Sequence, residues 1–184
     1  MLRQAREEYL AQTGVEHYDE VLHEVSARAA AAGELGKADI GALLFWKRLR
    51  ADTTWVARLH LVPDAQVRQI TRGARDAMRA AERTVDAARS GRSALSALPG
   101  FDIGDALASA VLFALAPHRM AIYDRRAHAA LRQLGLHLDD RRGRYSRYIE
   151  LLESLAKGLS SSGPVWSARD VDLALYWLGA QRAA

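Results

Sequence analysis

The segment from Leu98 to Leu131 carries the clearest pattern with chemical meaning. It combines a short turn, Leu98-Pro99-Gly100, with a second glycine at Gly104 and a following helix that starts with small residues. Such a hairpin presents backbone N–H groups at a helix N-terminus, where they can bind a phosphate oxygen without a cationic side chain. Glycine suits the turn because a Cβ would block the close approach of a DNA backbone and because positive φ is expected there. The pattern therefore favours a phosphate-binding hairpin.

Lys47 is the second residue of chemical interest, because it lies on a face where a charge is unexpected. It falls at helical spacing from Ile40, Leu43 and Leu44, on the stripe that otherwise faces the core. A lysine in such a position extends its ammonium to the surface, pairs with a carboxylate or lines a cleft. The sequence leaves these three alternatives open.

The chain around these residues is predicted to be helical. Apolar residues recur with the 3.6-residue helical period in nearly every stretch, and no segment alternates long enough to indicate a β-strand. The predicted fold class is therefore all-α. The hydrophobic spacing places helices at about 2–12, 17–32, 40–49, 55–59, 64–81, 107–115, 125–134, 145–159 and 168–181, with a short helix after Ser90-Gly91.

Residues at the predicted helix ends support these boundaries. Asp124 stands where an N-cap is expected, and Gly135 has the position of a residue that ends the same helix. Asp39 lies just ahead of the apolar helix that begins at residue 40. Ser167 with Asp170 three residues later resembles a capping box for the last helix.

Length and composition indicate one folded all-helical domain covering 1–184. A chain of 184 residues is long enough to bury a core without disulfides or metals. Its hydrophobic fraction of 49% and charged fraction of 26% are close to the globular average. The chain has no cysteine, which excludes disulfides, thiolate zinc sites, cysteine-ligated iron–sulfur clusters and cysteine nucleophiles.

The composition also limits the partners. No apolar run approaches the roughly 18 residues of a membrane span, and Met1 to Glu8 has mixed charge, so we expect a soluble, cytoplasmic protein with no membrane partner. The six histidines show no i, i+4 pairing with an accompanying Glu, so we expect no metal and no cofactor. A formal net charge of +4 permits an anionic partner without demanding one.

The hairpin sequence has a likeness to one known family. Leu98-Pro99-Gly100, Gly104 and Ala108-Ser109-Ala110 resemble the hairpin of the helix-hairpin-helix DNA glycosylase superfamily, usually LPGxG followed by a TA or ASA helix start. Asp124, which opens the next helix, falls where that family keeps its catalytic aspartate. The likeness is strongest over the stretch from Leu98 to Leu131.

Two further segments, Leu43–Arg48 and Asp170–Gly179, look similar to those of a bacterial branch of this superfamily. The resemblance implies a two-lobed helical bundle with a cleft between the lobes, a helix-hairpin-helix segment at about 93–134 and Asp124 at the mouth of the cleft. Bifunctional members place a Schiff-base lysine just after the hairpin, where this chain has Asp105-Ala106-Leu107. We therefore expect no lyase activity.

The function implied by the resemblance is DNA repair by a monofunctional DNA glycosylase, a hydrolase that binds double-stranded DNA and breaks an N-glycosidic bond. Asp124 would be the catalytic residue, because a carboxylate stabilises the oxocarbenium character of the sugar or orients the attacking water. The residues expected to contact DNA are Gly100, Phe101, Ile103, Gly104, Ala106 and Arg125. A flipped base needs a pocket with aromatic walls, and the residues expected to line it are Trp46, Lys47, Tyr123, Arg126, Tyr176 and Trp177.

Each of these candidates also has a structural interpretation. Asp124 can serve only as an N-cap or pair with Arg126, and the aromatic residues can belong to the core. The alternative function is a non-catalytic helical module that binds DNA or a protein partner through the same cleft. The surroundings of Asp124 discriminate between the two functions. An open, aromatic-lined cleft around Asp124 favours the enzyme, whereas burial under Arg126 or capping alone favours the non-catalytic module.

Overall fold

The computed structural model describes residues 1–12, 15–161 and 163–181, and these residues contain helices and loops but no β-strand. The prediction of an all-α fold is therefore confirmed. The helices, in chain order, are α1 (Leu2–Gln12), α2 (Val15–Tyr18), α3 (Glu20–Ala32), α4 (Lys37–Trp46), α5 (Thr54–Leu61), α6 (Asp64–Ala80), α7 (Thr84–Leu95), α8 (Ala106–Leu115), α9 (Arg125–Gln133), α10 (Arg144–Ser160) and α11 (Ala168–Gln181).

Helix α8 forms the centre of the core. Every residue from Leu107 to Leu115 is buried, which agrees with an apolar sequence that offers no polar face to water. Helices α3, α4, α6 and α7 pack around it, whereas α11 packs against α1, α9 and α10. None of the described helices combines the length and the apolar character that crossing a membrane requires.

The predicted helix at 17–32 is wrong as one continuous element, because the chain breaks at Asp19 between α2 and α3. The Asp19 side chain is buried and accepts hydrogen bonds from Trp46 Nε1 at 3.2 Å and from Arg169 Nη2 at 3.3 Å. A buried carboxylate needs such partners. These tertiary contacts, which hydrophobic spacing does not reveal, accompany the break.

The predicted break at Ser90-Gly91 is also wrong, because α7 runs through both residues. Gly91 lies where α7 meets its neighbours, and a Cβ there would come within 2.6 Å of Met78 Cγ and 2.8 Å of Leu112 Cδ2. The glycine thus allows close packing of α7 against α6 and α8 and does not end a helix.

The predicted caps are largely correct. Asp170 Oδ2 accepts from Ser167 N at 2.8 Å and Ser167 Oγ accepts from Asp170 N at 3.1 Å, as a capping box requires. Gly135 follows α9 with φ of +73°. Asp39 lies inside the first turn of α4, not ahead of it, and its Oδ2 accepts from Gly36 N at 2.9 Å.

Candidate functional site

A cleft of about 520 Å³, including the solvent at its mouth, opens beside the C-terminal end of α4, the N-terminal end of α9 and one face of α11. The chain segments that form it are far apart in sequence. The predicted residues that line it are Trp46, Lys47, Asp124, Arg126 and Tyr176, and they are joined by Tyr9, Tyr18, Arg48, Ile122, Arg169, Asp172 and Leu173.

Asp124 uses its two carboxylate oxygens differently. Its Oδ1 accepts from the backbone N of Arg126 at 2.9 Å, so the N-cap prediction is confirmed. Its Oδ2 accepts from Lys47 Nζ at 3.0 Å. The Arg126 side chain does not form this ion pair and instead donates from Nη1 to the Tyr176 hydroxyl at 2.8 Å. Asp124 therefore caps its helix and also lines an aromatic cleft.

Lys47 follows α4 directly, and only 8% of its side chain is exposed. Its ammonium donates to Asp124 Oδ2 and, at 3.3 Å, to the backbone oxygen of Tyr123. It also lies 5.6 Å from the centre of the Trp46 ring. Of the three alternatives for a lysine on this stripe, the structure shows the ion pair at the wall of a cleft.

The ion pair favours the charged form of Asp124. Burial alone raises the pKa of this carboxyl, but the charge of Lys47 and the hydrogen bonds from Arg126 N and Lys47 Nζ lower it further than burial raises it. The pKa of Asp124 therefore lies below its ordinary value. The cleft presents a carboxylate, not a carboxylic acid, at neutral pH.

A buried polar network lies behind this ion pair. Asp172 is 1% exposed, and it accepts from the Tyr148 hydroxyl at 2.6 Å, from Ile122 N at 3.3 Å and from Arg169. Arg169 also reaches Asp19, which in turn accepts from Trp46. The network ties α11 to the strand-like segment ahead of Asp124 and to Trp46, so it fixes two walls of the cleft.

Sequence reasoning missed Asp19, Arg169 and Asp172. One signal was present, because Asp172 falls on the α11 face that carries Leu175 and Gly179, both buried. A carboxylate on an otherwise apolar stripe needs a buried donor, and Arg169 three residues earlier is at the spacing to supply it.

Two predicted pocket residues, Tyr123 and Trp177, do not line the cleft. Ile122 and Asp124 line the cleft, whereas Tyr123 between them does not and belongs to the hydrophobic core. Tyr123 is 4% exposed, and its hydroxyl lies 2.9 Å from His128 Nδ1. Trp177 donates from Nε1 to Glu8 at 3.0 Å and packs against Tyr9.

The first half of the predicted DNA-binding hairpin belongs to the core. The Phe101 side chain is 1% exposed, so the prediction that Phe101 contacts DNA is wrong for its side chain. Gly100 has φ of +83°, and a Cβ there would lie 2.4 Å from Trp55 Cδ2. Packing against Trp55 and positive φ therefore explain this glycine without a DNA contact.

The second half of the hairpin is open to a partner. Gly104 is exposed with φ of +76°, and a Cβ there would meet no atom within 4 Å. The Ile103 side chain is 75% exposed, and Ala106 begins α8 half-buried. Arg125 is exposed at the start of α9 and forms no ion pair with the residues that the structure describes.

Arginine side chains support this hairpin from within. Arg92 donates to the backbone oxygens of Phe101 and Gly104 and to Asp105 Oδ1 at 2.9 Å. Arg144 donates to the other oxygen of Asp105 at 2.8 Å. Because two guanidiniums share this one carboxylate, Asp105 does not make the start of α8 acidic.

Comparisons with protein-family models, with curated proteins and with solved structures find no match for this chain. The resemblance to the glycosylase superfamily therefore stays a prediction from the sequence. Among the described residues, no group of three or more His, Asp or Glu side chains is arranged to hold a metal ion.

Proposed function

We propose that the protein is a monofunctional DNA glycosylase on a two-lobed bundle of the helix-hairpin-helix type, and that it hydrolyses an N-glycosidic bond with Asp124. The observation that carries the proposal is the placement of Asp124 Oδ2 in the aromatic-lined cleft, while Oδ1 caps α9. Capping requires only one oxygen and an exposed helix end. An ionised carboxylate facing a cleft beside Trp46 and Tyr176 has the features that base excision needs.

The proposed reaction begins with a nucleotide turned out of the duplex into the cleft. The bond between C1′ and the base nitrogen breaks, and its electron pair leaves with the base. The positive charge that develops on the sugar is stabilised by the carboxylate of Asp124. A water molecule then adds its oxygen to C1′ and its released proton passes to the departed base, so the products are a free base and an abasic site.

Lys47 acts as a positioning residue in this proposal. Its ammonium orients Asp124 Oδ2 and keeps the carboxylate ionised. An ammonium has no free lone pair with which to attack C1′. The proposal therefore includes base release without strand cleavage, and we expect no borohydride-trapped adduct between the protein and an abasic duplex.

The exposed half of the hairpin is proposed to hold the DNA backbone. The amides of Ile103, Gly104 and Ala106 donate no hydrogen bond to another residue that the structure describes. They lie at the N-terminal end of α8, where backbone N–H groups and the helix dipole favour a phosphate. Arg125, at the N-terminus of α9, supplies a further contact.

A second candidate function is a non-catalytic module that binds DNA or a protein partner through the same cleft. One observation favours it: both oxygens of Asp124 already have partners, as a purely structural carboxylate would. The two candidates differ in whether a base is released.

The experiment is a screen for abasic-site formation across a panel of damaged and modified duplexes, with the wild-type chain and Asp124→Asn in parallel. We expect the wild type to release at least one base and Asp124→Asn to lose about 100-fold or more of that rate, because a neutral amide does not offset a developing cation. Arg132→Gln, on the exposed far end of α9, serves as the control.

Equal rates in the wild type and Asp124→Asn would show that Asp124 is structural. Duplex binding without release of any base in the panel would favour the non-catalytic module. Absence of DNA binding at about 50 mM salt would contradict both the glycosylase and a DNA-binding module, because phosphate contacts are strongest at low ionic strength. Only a module for a protein partner would then be left.

A further inference from the structure

The arginines of the cleft fall into two kinds. Arg169, at the bottom, is ion-paired with Asp19 and Asp172. Arg48 and Arg126, at the mouth, form no ion pair with a carboxylate among the described residues. The arginines of the hairpin resemble the first kind, since both Arg92 and Arg144 are paired with Asp105.

The two arginines at the mouth contact phenol hydroxyls instead. Arg48 Nη2 donates to the Tyr18 hydroxyl at 3.3 Å, and Arg126 Nη1 donates to the Tyr176 hydroxyl at 2.8 Å. Arg48 also lies close enough to Tyr176 to interact with its hydroxyl. Two guanidiniums therefore converge on one pair of phenol oxygens.

No negative charge from these phenols balances the guanidiniums. Burial and the neighbouring Tyr176 hydroxyl raise the pKa of Tyr18 to about 12, so its hydroxyl is neutral at neutral pH. The charge of Asp124 acts on Arg126 at longer range, but the Asp124 oxygens are occupied by Lys47 and a backbone amide. Two like charges that both contact the Tyr176 phenol gain free energy when an anion binds to both.

The backbone conformation of Arg48 belongs to the end of α4, where Arg48 N donates to Phe45 O at 2.8 Å and Leu49 N donates to Leu44 O at 3.0 Å. Arg48 has φ of +52°, and it is the one residue other than glycine with positive φ among those described. A side chain in this conformation costs free energy that glycine would avoid. Glycine is the usual residue at such a helix end, so Arg48→Gly removes the guanidinium while it remains compatible with the fold.

From these contacts we infer that Arg48 and Arg126 form a clamp for a phosphate group of the nucleotide whose sugar lies over Asp124. The inference deepens the proposed function and depends on it for the orientation of the ligand. It defines the substrate as a nucleotide with its phosphate attached, not a free nucleoside. Each guanidinium presents a planar fork of N–H donors, and the tetrahedral oxygens of one phosphate can accept from two such forks.

The charges within the cleft give the ligand one orientation. Asp172 is buried and Asp124 partly buried, each beside a cation that offsets it, whereas Arg48 and Arg126 are exposed and have no carboxylate partner among the described residues. A phosphate is therefore held outside and the base inside. The phosphate can come from the strand next to a flipped nucleotide or from a free mononucleotide.

Two binding measurements distinguish a phosphate of the DNA strand from that of a free mononucleotide. The first compares each 2′-deoxynucleoside with its 5′-monophosphate by calorimetric titration. The second measures the anisotropy of a labelled duplex with a single mismatch, where one base leaves the stack at low cost. Both use the wild type, Arg48→Gly, Arg126→Gln and the control Arg132→Gln.

We expect Arg48→Gly and Arg126→Gln each to lose about 10-fold in affinity, the factor for one charge-assisted contact, in at least one of the two measurements. A loss of affinity for the mononucleotide but not for the nucleoside assigns the clamp to the phosphate of a free nucleotide. A loss of affinity for the duplex alone assigns the clamp to a phosphate of the DNA strand. Arg132→Gln should match the wild type.

Arg48→Gly tests the side chain without destabilising the fold. Glycine relieves the positive φ while removing the guanidinium, so the melting temperature should equal or exceed that of the wild type. Reduced phosphate affinity in such a variant reflects the lost side chain. If both arginine variants bind mononucleotides and the duplex as tightly as Arg132→Gln does, the clamp is wrong.

The clamp and the proposed function can fail separately. Phosphate-dependent binding that needs Arg48 and Arg126, in a protein that releases no base, would support the clamp and contradict the glycosylase. Base release at the wild-type rate and affinity in both arginine variants would support the glycosylase and overturn the clamp.

Discussion

The hairpin and the cleft are assembled in different ways, although both are candidates for contact with one ligand. The hairpin is built mainly from neighbouring residues and is supported by Arg92, 13 residues from Asp105, although Arg144 comes from 39 residues farther along the chain. The cleft depends on distant pairs, such as Lys47 with Asp124, which are 77 residues apart. A local structure can be found in the sequence as a motif, whereas a site made from distant pairs needs the fold.

The two regions also differ in how charge is balanced. At the hairpin, two guanidiniums share Asp105, and backbone amides remain as the donors for a ligand. In the cleft, a partly buried ion pair holds the carboxylate in place, and the two arginines at the mouth have no carboxylate partner among the described residues. In the proposed function, the hairpin would therefore make sequence-independent contact with a phosphate, and the cleft would recognise one particular nucleotide.

The largest expected effect on stability concerns the ion pair of the cleft. Lys47→Met leaves the partly buried Asp124 carboxylate without its counter-charge, and we expect a loss of about 3 kcal/mol in the free energy of unfolding in urea. Lys37→Met is the matched control, because the Lys37 ammonium donates to a backbone oxygen at the surface, and it should cost less than about 0.5 kcal/mol.

The double variant Lys47→Met/Asp124→Asn sharpens this test. If Lys47 and Asp124 stabilise the fold through their ion pair, the loss in unfolding free energy of the double variant should be smaller than the sum of the losses of the two single variants. Strictly additive losses would mean that the ion pair contributes nothing and that Asp124 acts only as an N-cap. Capping alone would let Asn replace Asp124 at a cost of a few tenths of a kcal/mol.

The next effect concerns the hairpin. Gly104→Ala places a Cβ where the proposed phosphate approaches, and we expect duplex affinity to fall about 10-fold, the loss of one backbone contact. Gly135→Ala is the matched control, because Gly135 also has positive φ, +73° against +76°, and also has open space in front of it. Both variants should lose the same stability, about 1 kcal/mol.

Anisotropy of a labelled duplex measures the difference in affinity between Gly104→Ala and Gly135→Ala. The measurement is made at about 50 mM salt, because phosphate contacts are strong at low ionic strength. Equal affinity in Gly104→Ala and Gly135→Ala would mean that the hairpin only connects α7 to α8. The result would leave the cleft unaffected, since no hairpin residue lines it.

The sequence predicts most helices because their apolar stripes repeat locally, and it predicts the cap at Asp124 because capping needs only near neighbours. It does not predict that Asp19 breaks a helix, and it leaves open whether Tyr123 lines the cleft or belongs to the core, because both depend on partners from other helices. Lys47 combines a feature that the local sequence predicts with one that depends on a distant partner. Its place on an apolar stripe identifies it as unusual, but only the fold shows that its partner is Asp124 and not solvent.

The smallest expected effect is the dependence of the cleft on pH. Because the pKa of Asp124 in the folded chain lies below its ordinary value, its charge contributes stability above the unfolded pKa, near 4, and this contribution is lost as pH falls through the folded pKa. A protonated Asp124 has nearly the shape and charge of asparagine. The difference in unfolding free energy between the wild type and Asp124→Asn should therefore be constant from about pH 5 to pH 8 and shrink below about pH 4.

Urea unfolding of both proteins across this range measures this difference in unfolding free energy, and the contributions of carboxylates common to both proteins cancel in it. Burial opposes the charge of Lys47, so the change is small. A difference that instead shrank between pH 5 and pH 7 would show a raised pKa for Asp124, and the cleft would then present a proton donor where the proposed reaction needs a carboxylate.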